Sequence, residues 1–311
     1  MLSPVTNAAL TVEHETLFEY GARVDVAYHL AHLRPRESEW QQVDRHQLQI
    51  EPRPSYTSQV GDVYGNGSTY FAFYVPHEQL TVRAASTVRI VDRFAAGGVV
   101  LDPNDSPAWE TVRASMRYSA RAPLSSAAEF CFPSPFIPLL ADLAAYAREV
   151  FSAERPLLAA AIDLMHRIHG DFKYESGSTE VTTPVLTVFK QRRGVCQDFA
   201  HVLIACLRGL GLPARYVSGY LLTTPPPGRP RLLGADASHA WVQVWSPQLG
   251  WLDLDPTNDT IPSVAHVMLA LGRDYGDVMP LRGVIRGGGE HTLKVAVSVL
   301  PVAHEDPSAS A

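Results

Sequence analysis

The feature that most constrains the fold is a change in hydrophobic periodicity part-way along the chain. Between Phe18 and Ile90, short stretches alternate apolar and polar residues and are separated by proline and glycine turn signals. Because successive side chains of a strand point to opposite faces, this alternation predicts an antiparallel β domain. After Pro133 and Pro138 the apolar residues adopt helical spacing. The chain therefore predicts an α+β fold in which the β domain comes first.

The same change divides the chain into predicted regions. We expect an N-terminal β domain over residues 1–105 and a helical connecting region over 106–160. A second core follows over 161–300 and ends in a closing hairpin at 284–300. A polar tail, 301–311, is expected to be disordered. A length of 311 residues agrees with two domains or with one elaborate domain.

The predicted core places a buried helix before an antiparallel sheet. The helix begins at Cys196 and ends at Gly209, and its apolar positions follow the spacing of a core-facing stripe. That stripe consists of Phe199, Val202, Leu203, Cys206 and Leu210. Three β-rich segments follow at residues 214–222, 237–245 and 251–255. The predicted core is thus a cysteine-bearing helix packed on an antiparallel sheet.

Composition and charge exclude several classes of function. The chain has 26 basic and 32 acidic residues, a net charge of −6 and a pI near 6.0, which argues against a nucleic-acid partner. No secretory signal and no apolar run of membrane-spanning length are found, so we expect a cytoplasmic protein without a membrane partner. Three cysteines fit no disulfide framework and indicate free thiols. The oligomeric state is left open.

Cys196, His239 and Asp255 are the candidates for nucleophilic catalysis. A thiol at a helix N-terminus meets the positive end of the helix dipole, which favours the thiolate. His239 and Asp255 lie on two segments that read as a hairpin, and a register that pairs residues summing to 494 places them opposite each other. This register is an assumption, and Asp253 is the rival third member. We prefer Asp255 because Pro256 marks the end of its strand.

Four segments in this order resemble the bacterial transglutaminase-like family, which is related to papain-like thiol enzymes. They are GVCQDFAH at residues 194–201, ARYVSGY at 214–220, SHAW at 238–241 and GW at 250–251 continuing to DPTN at 255–258. LRPR at 33–36, residues 41–52 and DVYGN at 62–66 resemble the β domain that precedes the core in that family, and GRDYGDV at 272–278 resembles the segment that follows it. The resemblance implies Cys196 as nucleophile, His239 as base and Asp255 as orienting acid.

One departure from related enzymes concerns the oxyanion. Animal transglutaminases use a tryptophan upstream of the cysteine, whereas no tryptophan lies between Trp109 and Cys196 here. Beyond the triad, we expect Gln197, His201, Trp241 and Trp251 to contact substrate or support the site. The tryptophans could equally form an apolar substrate wall or pack between domains.

The residues predict a thiol enzyme that acts on a peptide or protein amide through an acyl-enzyme. With water as acceptor it is a peptidase or amidase, which we favour, and with an amine it is a transglutaminase or an isopeptide-forming ligase. No metal and no organic cofactor is implied. The alternative from a different class is a peptide-binding module that keeps the triad without turnover.

Overall fold

The computed structural model describes residues 6–95, 100–120, 125–223 and 238–302. It has the predicted α+β class, with an N-terminal antiparallel sheet followed by helices and a second sheet. Of the predicted tail, residues 303–311 lie outside the described residues. Among the residues that are described, no helix combines the length and apolar content needed to cross a bilayer.

The N-terminal sheet is organised around one long strand. Its first five strands are β1 (Asn7–Ala31), β2 (Gln41–Glu51), β3 (Tyr56–Gly61), β4 (Gly67–Phe73) and β5 (His77–Val91), in the order β2-β5-β1-β4-β3. Along one edge, β1 pairs first with β5 and then with β4, in both cases antiparallel. The alternating sequence pattern therefore produced the predicted β domain, with its inward residues Phe71, Leu80 and Val82 fully buried.

Beyond β5, the described residues form five α-helices and a four-stranded antiparallel sheet. The helices are α1 (Trp109–Ser115), α2 (Ala141–Arg148), α3 (Leu157–Asp171), α4 (Val185–Gln191) and α5 (Cys196–Gly209). The strands are β6 (Lys173–Tyr174), β7 (Arg193–Gly194), β8 (Ala214–Leu221), β9 (Ser238–Ser246), β10 (Gly250–Leu254) and β11 (His266–Gly272). The larger sheet has the order β10-β9-β8-β11, while β6 and β7 pair separately in parallel.

Helix α5 lies at the centre of this second part of the fold. It packs against α2, α3 and α4 and against β8 and β9, so it is surrounded by protein and its residues Phe199, Leu203 and Leu207 are almost completely buried. The helix starts sharply because the backbone at Val195 is extended and the Asp198 carboxylate accepts a hydrogen bond of 2.8 Å from the Val195 N–H. The burial fixes the position of Cys196 at its first turn.

The predicted closing hairpin is wrong. Residues Leu281–Gly287 (β12) and His291–Pro301 (β13) do not turn back on each other but pair one after the other with the second edge of β1, in the N-terminal sheet. Gly287, Gly288 and Gly289, which lie inside the predicted hairpin, all have positive φ. They lie where the partner of β1 changes from β12, paired up to Val24, to β13, paired from Tyr20, and there the Ala22 N–H donates to the Gly288 carbonyl at 2.9 Å.

Two side-chain amides join the N-terminal domain to the catalytic sheet. Gln41 donates to the Met268 carbonyl at 2.7 Å and accepts from the Met268 N–H at 2.8 Å. Asn66 makes the same pair of bonds with Leu271, at 2.7 and 2.8 Å. Because β11 is an edge strand, these amides satisfy backbone groups that a neighbouring strand would otherwise pair. The two domains are thereby held in a fixed relation along β11.

Candidate active site

Cys196 lies at the first residue of α5 and is half-buried. Its Sγ atom is 4.0 Å from the carbonyl oxygen of Ser238, at the start of β9. The N-terminal turn of a helix presents unpaired backbone N–H groups and the positive end of the dipole. The thiol is therefore placed where negative charge on sulfur, and on an oxygen bound beside it, is stabilised.

His239 and Asp255 meet as the sequence predicted. The Nε2 atom of His239 is 2.7 Å from Oδ2 of Asp255, and both side chains are buried. Cys196 lies close enough to His239 to raise the pKa of the imidazole. Since Nε2 faces Asp255, Nδ1 is the nitrogen left for sulfur. The three side chains thus lie in the order Cys196, His239, Asp255.

The hairpin register that we used to expect this contact is wrong. Strands β9 and β10 pair Trp245 with Trp251 and Gln243 with Asp253, so paired numbers sum to 496 rather than 494. Asp255 lies one residue beyond β10 and bridges to Thr260 instead. Its side chain reaches His239 because the chain leaves the ladder there, and the contact does not depend on a cross-strand pair.

Asp255 accepts hydrogen bonds from five donors. Its Oδ2 faces His239 at 2.7 Å, the Asn258 amide at 2.7 Å and Nε2 of His266 at 3.1 Å. Its Oδ1 accepts from the backbone N–H groups of Thr257 and Asn258 at 2.9 and 3.2 Å. Burial acts to raise the pKa of Asp255, but the bonds from the two histidines and Asn258 hold it well below its usual range. The carboxylate is ionised throughout the neutral range.

The same contacts determine the charge of His239. Burial acts to lower the pKa of His239, whereas the hydrogen bonds to Asp255 and Cys196 raise it to about 9. The balance keeps the imidazole protonated at neutral pH. A protonated imidazole beside Cys196 supplies the positive charge that a thiolate requires.

His239, Asp255 and His266 form the one group among the described residues whose atoms are spaced closely enough to suggest metal ligands, within 4.8 Å of one another. Two ligands on a tetrahedral zinc ion lie about 3.3 Å apart, given bonds of about 2.0 Å. The 2.7 Å between His239 and Asp255 is shorter than this and is the length of a charge-assisted hydrogen bond. The group therefore fits imidazoles donating to a carboxylate better than it fits a metal.

Trp241 forms the floor beneath the two histidines. Its ring stacks on His239 with centroids 6.0 Å apart and meets the edge of His266 at 5.4 Å. Its indole N–H donates to Asp253 at 2.7 Å, which gives the rival carboxylate a structural role away from His239. Space for the indole comes from Gly219, where a Cβ atom would lie 2.5 Å from the Trp241 ring.

The other predicted site residues are dispersed. Gln197 donates to the Val181 carbonyl at 3.0 Å, so its amide holds the preceding loop. His201 is fully buried below the site, where it accepts from the Tyr275 N–H at 3.2 Å, and burial lowers its pKa to about 4. Trp251 packs on the Arg215 guanidinium at 3.9 Å and shares its face of the sheet with its cross-strand partner Trp245.

Several residues at the site were missed in the sequence analysis. Asn258 was visible in the DPTN segment but received no role, and it bonds Asp255 directly. His266 stands alone in an apolar strand, and no local pattern connects it with Asp255. Three tyrosines also lie within electrostatic range of the thiol, since burial and then the charge of Cys196 raise the pKa of Tyr174, Tyr216 and Tyr275. His266 and the tyrosines come near the triad through tertiary contacts, which local sequence patterns do not predict.

Comparison with known proteins agrees with the geometry. Residues 144–256 match the model of the Transglutaminase-like superfamily, and residues 10–89 match that of the Bacterial transglutaminase-like N-terminal region. The chain belongs to the transglutaminase-like superfamily. The predicted resemblance is thereby confirmed for both parts of the chain.

Similar proteins extend over nearly the whole length. An uncharacterized protein of Mycobacterium tuberculosis is 42% identical over 298 residues, which is 93% of this chain and 92% of that protein. A solved structure from Cytophaga hutchinsonii, named as a candidate cysteine protease, has a TM-score of 0.72 and covers 96% of this chain and 92% of that one. At 19% identity, the latter similarity shows a common fold. A Pseudomonas aeruginosa protein-glutamine gamma-glutamyltransferase is 40% identical over 76 residues, 24% of this chain and 11% of that protein.

Proposed function

We propose that this protein is a cysteine-dependent enzyme that cleaves amide bonds through an acyl-enzyme, with water as the acceptor. The observation that carries the proposal is the buried 2.7 Å hydrogen bond between His239 and Asp255. It is found together with a thiol, Cys196, at a helix N-terminus. A thiol needs a partner that holds it as thiolate and a base that a third group orients. Cys196, His239 and Asp255 supply these three functions.

In the first half of the reaction, the Cys196 thiolate adds to the amide carbonyl carbon. As the C–N bond breaks, His239 gives its proton to the leaving nitrogen, and a thioester remains on sulfur. In the second half, neutral His239 takes a proton from water while the water oxygen attacks the thioester. The carboxylic acid leaves, and Cys196 and His239 return to thiolate and imidazolium. Asp255 keeps Nε2 protonated throughout.

The backbone N–H groups at the start of α5 are the natural donors to the oxyanion. The N–H groups of Asp198 and Phe199 bond the Val195 carbonyl, so those of Cys196 and Gln197 are the first-turn groups nearest the sulfur. The Gln197 side-chain amide is not a donor to the oxyanion, because it donates to the Val181 carbonyl. This arrangement stabilises negative charge on an oxygen adjacent to the thiol.

Selective alkylation tests the proposal. Wild type, Cys196→Ala and His239→Ala are incubated with iodoacetamide at about pH 6, where an ordinary thiol is protonated, and their intact masses are compared. The other thiols serve as internal controls: Cys206 is fully buried, and burial raises the pKa of Cys131 to about 11. We expect one adduct on wild type and none on either variant. A folded wild type without an adduct would favour the peptide-binding module without turnover.

Transfer to an amine is the second candidate. Its support is the similarity of a 76-residue stretch to a protein-glutamine gamma-glutamyltransferase. The two reactions share the acyl-enzyme and differ in the acceptor. Incubation with a glutamine-bearing protein and a fluorescent primary amine distinguishes them, since covalent fluorescence that requires Cys196 indicates transfer. Ammonia release without incorporation of the amine indicates hydrolysis.

A further inference from the structure

His266 is a buried histidine to which the proposed reaction gives no role. It is the first residue of β11, and its side chain is 7% exposed. Its backbone N–H donates to the Ser263 carbonyl at 3.0 Å, and its Nε2 atom lies 3.1 Å from Oδ2 of Asp255. Oδ2 is also the oxygen that His239 contacts at 2.7 Å. Two imidazoles, one from β9 and one from β11, therefore share one carboxylate oxygen.

The surroundings of His266 select one tautomer of its ring. Its Nδ1 atom is buried and has no hydrogen-bond partner among the described residues. If Nδ1 carried the only proton, that N–H would be unpaired and the lone pair of Nε2 would face the carboxylate. With the proton on Nε2, the ring donates to Asp255. His266 is therefore a hydrogen-bond donor to the carboxylate of the triad.

The donors to Asp255 differ in where they lie. Three of them, the Thr257 N–H, the Asn258 N–H and the Asn258 side-chain amide, belong to the turn that follows Asp255 directly. These donors orient the carboxylate within the turn and move with it. In the part of the chain that the structure describes, the donors from outside the turn are His239 and His266. Since His239 is the group to be oriented, His266 is the donor that ties the carboxylate to the sheet.

His266 is held in a fixed position relative to His239. Strand β8 lies between β9 and β11, and its Gly219 pairs with His239 on one side and with Met268 on the other. The Trp241 ring fills the space over Gly219 and packs against both imidazoles, whose centroids are 5.9 Å apart. A side chain that is locked by packing holds its hydrogen-bond partner in place. The two histidines and the indole thus form a rigid frame around the carboxylate.

We propose that His266 is a positioning residue of the triad, whose Nε2–H holds the Asp255 carboxylate directed at His239. The inference rests on the proposed function, because it assigns a role in forming the same thiolate–imidazolium pair. Without this donor, the carboxylate can rotate with its turn and the imidazolium is held less firmly. A smaller fraction of Cys196 is then thiolate. His266 acts through Asp255 and does not need to touch the substrate.

Two substitutions separate this role from packing. His266→Phe keeps a ring against Trp241 and removes the donor, whereas His266→Gln loses the ring and can place an amide N–H near the position of Nε2. Alkylation of Cys196 by iodoacetamide is followed from pH 4 to 9 on the full-length proteins, with circular dichroism to show that each is folded. A packing role predicts that His266→Phe is the less impaired variant, and a positioning role predicts the opposite.

The expected shifts are measurable. The pH of half-maximal alkylation should rise by at least about 0.5 unit in His266→Phe, which is about a threefold loss of thiolate below that pH, and should stay within about 0.2 unit in His266→Gln. His266→Asn carries the same amide one methylene short of the carboxylate. It should behave like His266→Phe, and it replaces that variant if the phenylalanine protein does not fold.

Proton NMR tests the same contact without the thiol. In the Cys196→Ala protein with ¹⁵N-labelled histidine, the His239 Nε2–H is buried against a carboxylate and should exchange slowly with water. Its signal is assigned by its loss in His239→Gln. We expect the signal to persist when His266→Gln is added and to broaden or vanish when His266→Phe is added.

The two readouts distinguish failure of the positioning role from failure of the proposed function. If the wild-type thiol shows no alkylation that depends on His239, the proposed function fails, and the NMR signal by itself decides the role of His266. The positioning role is overturned if a folded His266→Phe protein keeps the parental His239 signal. It is equally overturned if that variant leaves the pH profile of a reactive Cys196 unshifted, or if His266→Gln is impaired as much as His266→Phe.

Discussion

Replacing Asp255 with asparagine is the sharpest perturbation of the site. Five donors converge on the two carboxylate oxygens, including both histidine Nε2 atoms. Asparagine offers one acceptor oxygen and one NH₂ group, so whichever way it is placed, its NH₂ group faces donors. The side chain has almost the same volume as aspartate. The variant therefore tests charge and hydrogen bonding rather than packing.

The magnitude follows from the protonation of His239. Its pKa is raised from 6.5 to about 9, which corresponds to about 3 kcal/mol of stabilisation of the imidazolium, shared between Asp255 and Cys196. The shift is net of the burial that lowers the pKa, so Asp255 and Cys196 together supply at least this much. If Asp255 supplies about half, its loss lowers the population of the ion pair by about tenfold or more. We expect the alkylation rate of Cys196 near pH 6 to fall at least about tenfold. Amide cleavage should fall further, by about 10³-fold or more, because the tautomer of His239 is also lost.

The matched control is Asp253→Asn. Asp253 bonds Trp241 and Gln243 instead of His239, so this variant should lose stability while keeping most of the alkylation rate. The assay is iodoacetamide labelling followed over pH 5 to 9, with circular dichroism to show that both variants fold. Equal losses of rate in the two variants, or a greater loss for Asp253→Asn, would refute the assignment of Asp255.

Three further outcomes are expected. Cys196→Ser should melt within a few degrees of wild type by circular dichroism and lose at least about three orders of magnitude in amide cleavage, and retained cleavage would exclude the thiol mechanism. Gly219→Ala should destabilise the fold by about 2 kcal/mol or more in urea denaturation, because its Cβ would lie 2.2 Å from the Val267 carbonyl oxygen and 2.5 Å from Trp241; an unchanged midpoint would contradict this packing. Because the pKa of Asp255 is lowered on folding, its contribution to stability is complete above its unfolded pKa of about 3.9 and is lost as pH falls. The destabilisation caused by Asp255→Asn should thus be largest near pH 7 and shrink below pH 4, and a pH-independent difference would argue against a lowered pKa.

The sequence determined the local elements and the order of the site residues. Period-two alternation predicted the β domain, and helical spacing with flanking glycines predicted α5 from Cys196 to Gly209. These signals are local, since strand and helix periodicities arise from the backbone geometry of neighbouring residues. The nucleophile, His239 and Asp255 were named from their residue types, order and family resemblance, and the fold brings these three side chains together.

Tertiary structure decided which elements pair and what surrounds the triad. Strands β12 and β13 join β1 across about 250 residues of intervening chain, and the register of β9 and β10 differs from the simplest hairpin count. Local periodicity predicts neither the partner of a strand nor its register, because a strand has the same alternation of apolar and polar residues whichever partner it pairs with. His266 likewise reaches Asp255 only in the folded molecule, where the chain that leaves β10 brings the start of β11 back to the carboxylate.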